Sequence, residues 1–269
     1  ALWTFYLPML VVMFVLRNTS EREEGLAVVL GFAIFSSLLL KFFLTGYEYV
    51  TTTVIMLLVP LVYYAARERW SRRRSLELGT SAVLASGAAC LSSLGVLAYQ
   101  IGSVLGSYTD GVSYLVFRLG IRTHGGLGHI PDRFAAGVEA TTGSVVATYL
   151  SGVYFDLENY FAASGPTGEL LVFAVRYWQL TVVFVAASVY LIVRSRSGVE
   201  SERSRCRAIC YATWFSLLAP LSWFIVFKGH SYVHTHLNHV AWHMPFVFFG
   251  FATIGLAVRE LSRLGRNHG

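Results

Sequence analysis

Long apolar runs separated by short polar loops set the pattern of this chain. The runs cover 1–16, 25–45, 50–66, 79–105, 168–193, 207–227 and 238–258. Most reach or approach the roughly 20 residues that a helix needs to cross a bilayer core. The pattern predicts an all-α, polytopic membrane protein of about seven transmembrane helices, built as a single membrane domain over 1–269. Pro220 and Pro245 fall inside the sixth and seventh runs, where a missing N–H kinks a helix. The segment 106–167 is too long for a structureless loop. Val112, Leu115, Val116 and Leu119 share a helical face, and a second apolar stretch follows from Phe134 to Phe161. Both predict helices lying at the membrane interface. HGGLGHIP at 124–131 reads as the turn between them.

Composition agrees with this picture. The chain is 55% hydrophobic and only 13% charged, against about a quarter charged in soluble domains. The first run is short, the chain opens at Ala1, and no cleavable signal peptide is recognisable. An N-terminal part missing from this sequence is therefore expected. The net charge of +6 belongs to the loops and does not indicate nucleic acid as a partner. Arg17 and Arg22, Arg67 to Arg74, Arg194 to Arg207, and Arg259, Arg263 and Arg266 supply fifteen of the 21 basic residues, all on one side under a single threading. That side is expected to be cytoplasmic, with the N-terminus outside, the C-terminus inside, and the plasma membrane as the location. Cys90, Cys206 and Cys210 give no disulfide framework.

The threading gathers the candidate chemistry on the outer side. His230, His234, His236, His239 and His243 fall within fourteen residues. If the last span begins near His236, then His236, His239 and His243 share one helix face, a candidate site for a divalent metal or haem. Among the basic residues, Lys41, Arg118, Arg122, Arg133, Arg176 and Lys228 alone escape the cytoplasmic set. Lys41, Arg176 and Lys228, placed near one depth with His230, His234 and His236, would suit a lipid phosphate or another anionic substrate. Arg176 is expected about two turns into the fifth span, and Lys41 and Lys228 also read as snorkelling ends. Glu48, Asp110, Asp156 and Glu158 are candidate general bases, and also ordinary caps or solvated charges.

The segment WFIVFKGHSYVHTHLNHVAWHMPF, residues 223–246, resembles the late membrane helices of GT-C-type glycosyltransferases; YQIGSVLGSYTDGVSYLVFRLGIRTHG, residues 99–125, resembles them more loosely. The resemblance implies an outer-leaflet protein that acts on or binds a polyprenyl-phosphate-linked sugar, as an enzyme, a fragment or a non-catalytic relative. That family carries a catalytic acid in its first outer loop. Here the first outer loop is the turn around Glu48, no adjacent Asp-Asp, Asp-Glu or Glu-Asp pair occurs, and no catalytic residue is assigned. Two alternatives stand beside it: a histidine-rich metal or haem redox protein, and a structural subunit docking membrane protein partners in the bilayer. A seven-helix receptor lacks an outer cysteine tether and a retinal lysine in the last helix.

Overall fold

Helix follows hydrophobicity through the first half of the chain, and turn chemistry sets where each helix stops. The computed structural model describes residues 3–19, 24–125, 132–156, 174–196, 199–234 and 238–267. Helices α1 (Trp3–Thr19), α2 (Leu26–Thr45), α3 (Val50–Glu68) and α4 (Arg72–Leu105) pack together. Gly46, at φ 65°, ends α2 in a conformation that side chains rarely adopt. The Ser71 hydroxyl accepts from the Arg74 amide at 3.2 Å and caps α4. Gly31 lets α2 meet α4 closely: the Ser81 hydroxyl donates to the Ala27 carbonyl at 2.5 Å, and a Cβ at Gly31 would stand 2.8 Å from that hydroxyl. Val12, Leu30, Ile34, Leu38, Leu57 and Ala82 form the buried core between these four helices.

The chain then crosses one end of the bundle in α5 (Tyr108–Arg122), α6 (Asp132–Glu139) and α7 (Thr142–Ser151). It continues through two paired antiparallel strands, β1 (Val153–Asp156) and β2 (Ala174–Arg176). The helical reading of 134–161 thus ends early: Gly152 breaks it, and the β-branched and aromatic run Val153, Tyr154, Phe155 suits a pleated surface. The rest comprises α8 (Tyr177–Ser195), α9 (Glu200–Ser216), α10 (Leu218–Val226), α11 (Lys228–Val233), α12 (Asn238–His243) and α13 (Phe246–Asn267). The predicted span 238–258 divides at Met244 and Pro245, where proline cannot continue the ladder of amide bonds. A second core joins α8, α10, α12 and α13 to α7 through Phe184, Phe224, Trp242, Phe246 and Tyr149.

Five helices are long and apolar enough to cross a membrane among the described residues: α2, α3, α4, α8, and α9 continued by α10. They mark an integral membrane protein. Helix α1 is apolar but shorter, and the last turns of α13 carry Arg259, Glu260 and Arg263. A few side-chain hydrogen bonds join neighbouring helices. The Thr52 hydroxyl donates to the Ala219 carbonyl at 3.1 Å, Thr213 and Thr253 share a bond of 2.7 Å, and the Trp214 indole reaches the Ser188 hydroxyl at 3.1 Å.

Charge divides the bundle into two ends. At one end Arg69 pairs with Glu200, and the Ser204 hydroxyl donates to the Arg67 carbonyl at 2.5 Å. Arg205 lies 3.0 Å from Glu260, and Arg263 lies 2.9 Å from Glu202. These contacts join the end of α3, the start of α9 and the end of α13. The turn after α2, the end of α5, and α6, α7 and α11 meet at the other end.

Candidate functional site

The turn at 46–49 is where the site begins. Lys41, wholly buried in the last turns of α2, donates from Nζ to the Gly46 carbonyl at 2.8 Å and the Glu48 carbonyl at 2.6 Å. Its ammonium also lies 5.1 Å from the Phe5 ring and 5.2 Å from the Phe42 ring. A cation at this depth needs acceptors close by, and the turn supplies them. Lys41 therefore shapes the turn that presents Glu48.

The Glu48 carboxylate faces two partners from distant sequence. Oε1 stands 3.9 Å from Arg122 Nη1, and Oε2 stands 3.7 Å from His230 Nε2. The carboxyl is held below its ordinary range, first by the His230 ring directed at it, against an opposing effect of burial, and then by the positive charges of His230, Arg122 and Lys41. Arg122 lies in the last turn of α5, where free carbonyls favour a cation.

Glycine brings His230 into place. The Gly229 amide donates to the Thr123 carbonyl at 3.0 Å. A Cβ at Gly229 would stand 2.8 Å from the Ile121 carbonyl, and one at Gly137 would stand 2.8 Å from the Gly229 carbonyl. Only two bare backbones let α5, α6 and α11 converge so closely. The Tyr149 hydroxyl on α7 donates to the Ser231 carbonyl at 2.9 Å and the His234 carbonyl at 3.3 Å. Burial pushes the Tyr149 phenol up to about 12, which keeps it a donor.

These contacts enclose a cavity of about 110 Å³ lined by Arg118, Ile121, Arg122, Gly229, His230, Val233 and His234. The His230 and His234 rings are 4.4 Å apart, and His230 Nε2 is buried with no hydrogen-bond partner among the described residues. Two arginines and two imidazoles around a space of this size suit a phosphoryl group.

The other residues singled out in the sequence stand elsewhere. Lys228 is buried and donates from Nζ to the Val138 carbonyl at 2.6 Å, closing the end of α6. Arg176 is exposed at the start of α8, not two turns inside a span, because the preceding residues pair as β2. Its Nη1 donates to the Ser151 carbonyl at 2.6 Å, so it ties α7 to α8. His239 Nδ1 lies 2.7 Å from the Tyr177 hydroxyl, His243 Nδ1 lies 2.6 Å from the His239 carbonyl, and the His243 ring stacks on Tyr154. Each of these two histidines has a protein partner of its own. Among the described residues no group of three or more His, Cys, Asp or Glu is placed to hold a metal ion. His236, His129, Glu158, Glu169, the side chain of Asp156 and most of the 124–131 turn lie outside the described residues.

The sequence reading set Arg118 and Arg122 aside among the outer basic residues without placing them with the histidines. Their spacing of four on a helix, which puts both on one face, was the available signal. No protein-family model, no curated protein and no solved structure matches this chain.

Proposed function

We propose that this protein binds a polyprenyl-phosphate-linked sugar at the outer leaflet of the plasma membrane, in the manner of a GT-C-type glycosyltransferase or a non-catalytic relative. The observation that carries this reading is the cavity where Arg118 and Arg122 meet His230 and His234 beside Glu48. Guanidinium groups hold phosphate through several directed N–H bonds. The imidazoles of His230 and His234 add ring nitrogens to the guanidinium groups around the same space. In this reading the chain crosses the bilayer seven times, by α1, α2, α3, α4, α8, α9 with α10, and α13. The N-terminus is outside and the C-terminus inside. The arginine-rich end then lies in the cytoplasm, and the phosphate cavity lies at the opposite face. Lys41 and Lys228 serve this cavity from behind: each holds a backbone carbonyl at the same end of the bundle.

The test is lipid retention. The purified chain is titrated with undecaprenyl phosphate in detergent and the bound fraction is read by native mass spectrometry. Charge-assisted bonds contribute about 1.5–3 kcal/mol each, so Arg118→Gln with Arg122→Gln is expected to weaken binding by at least about tenfold. Arg176→Gln should leave it within about twofold. Retention that ignores the double substitution would refute the reading.

A further inference from the structure

At the arginine-rich end, on the membrane-facing side, α3 and α4 separate into an apolar groove of about 450 Å³. Leu58, Leu61, Val62 and Trp70 form one wall, and Leu76, Gly79, Thr80 and Val83 form the other. Leu76, Val83 and Leu84 are all more than half exposed, so the groove opens sideways rather than into the bundle. From Ser75 to Leu84 it climbs about 14 Å along α4 at 1.5 Å per residue, on the order of the hydrocarbon depth of one leaflet.

The mouth of the groove is cationic. Arg72 sits one turn before Leu76, on the face of α4 that lines the groove. It is exposed. Arg74, on the far side of the helix, lies over the Trp70 ring at 5.0 Å. Trp70 itself donates to Glu68 at 2.7 Å and stands where the apolar wall meets the charged end, the depth at which tryptophan anchors a membrane protein. Arg69 is taken by Glu200. Glu77 lines a separate cavity on the α2 side with Arg73 and Arg74, away from the groove.

We infer that this groove is a binding site for an anionic diacyl phospholipid of the leaflet at the arginine-rich end. One acyl chain lies between α3 and α4, and the headgroup phosphate is held by Arg72. Charge complementarity selects this occupant over a neutral lipid: the exposed Arg72 guanidinium stands at the polar end of a slot that is apolar along its length. The site is remote from the histidine cavity and does not depend on what that cavity binds.

Gly79 makes the groove testable, because a Cβ there meets nothing within 4 Å and a larger side chain enters open space. The full chain is reconstituted in nanodiscs of phosphatidylcholine with one-fifth phosphatidylglycerol, extracted in mild detergent, and its retained lipids are counted by native mass spectrometry. Retained lipid is expected to be enriched in phosphatidylglycerol above the nanodisc ratio. One arginine beside an anionic headgroup is worth roughly fivefold in occupancy, so Arg72→Gln should lower retention by roughly fivefold. Gly79→Phe, which fills the slot and leaves the charge, should lower it comparably, and Gly79→Ala should not. Thr80→Phe repeats the block from a neighbouring exposed position in case Gly79→Phe does not fold. Retention at the nanodisc ratio, or loss with Arg72→Gln but with neither blocking variant, would overturn the site, since the effect would then be surface charge alone.

Discussion

Glu48 carries the electrostatics of the candidate cavity, and its setting makes a pH dependence. The His230 ring directed at it, and then positive charge from His230, Arg122 and Lys41, lower its folded-state pKa beneath the ordinary 4.5 against the effect of burial. A depressed carboxyl stabilises the fold fully above the unfolded value and loses that contribution as the pH falls through the folded one. The stabilisation is therefore present above about pH 4.5 and fades below it. Glu48→Gln removes the effect while keeping the shape of the side chain. The thermal midpoint of the unaltered protein in detergent should fall more steeply from about pH 5 to about pH 3 than that of Glu48→Gln. Parallel profiles would mean that the carboxylate contributes nothing through its charge. The same substitution leaves Arg122 and His230 without their carboxylate, so the cavity becomes more cationic at neutral pH and should hold a phosphate more strongly.

Helices α9 and α13 are held at the arginine-rich end by two ion contacts, Arg205 with Glu260 and Arg263 with Glu202, and Arg263 also reaches the buried Glu260 within α13. Glu260 is nearly enclosed, with Arg205 at 3.0 Å and Arg263 at 3.2 Å. Removing one partner of an enclosed pair leaves the others uncompensated, although the two arginines keep some access to water. Glu260→Gln is expected to destabilise the protein by about 1–3 kcal/mol. It should also loosen the small cluster of Leu191, Cys206, Cys210 and Ala257 beneath it, so maleimide labelling of Cys206 should quicken along with a lower thermal midpoint. An unchanged labelling rate would place the clamp elsewhere. Spans α2, α3, α4, α8 and α9 with α10 were readable from hydrophobicity alone, because lipid imposes length and polarity on every crossing helix. The start of α8 and the break between α12 and α13 were not. Ala174 and Val175 continue the apolar pattern of the span but pair as a strand, and a proline in an apolar run signals a kink without fixing where one helix ends and the next begins. For the site, His230 and His234 were legible as outer-side histidines ahead of the last span. Their meeting with Glu48 and Arg122 depends on Gly229 and Gly137, whose close approaches join segments distant in sequence and have no local signature.

On the scale of the whole molecule, the arrangement of charge is also a statement about the bilayer. The loops that carry fifteen of the 21 basic residues include those joined by the contacts among Arg67, Arg69, Arg205, Arg263 and their acids. The histidine cavity and the turn at Glu48 stand at the opposite end. Carrying an arginine through the hydrocarbon core is unfavourable by about 2.5–3.5 kcal/mol on insertion scales. A threading that kept the arginine-rich end outside would require many such transfers, whereas the reverse requires few. The arginine-rich end should therefore face the cytoplasm. Single cysteines in a background with Cys90, Cys206 and Cys210 replaced by Ala can test this. Glu24 and His124 are exposed and flank the two ends. In intact cells a membrane-impermeant maleimide should label His124→Cys, and should label Glu24→Cys only after permeabilisation. The opposite pattern would invert the protein and move the histidine cavity to the cytoplasmic leaflet, where an outer-leaflet sugar lipid cannot reach it. Labelling of both positions from outside would require an odd number of crossings to be lost between them, and would remove one of α2, α3 or α4 from the bilayer.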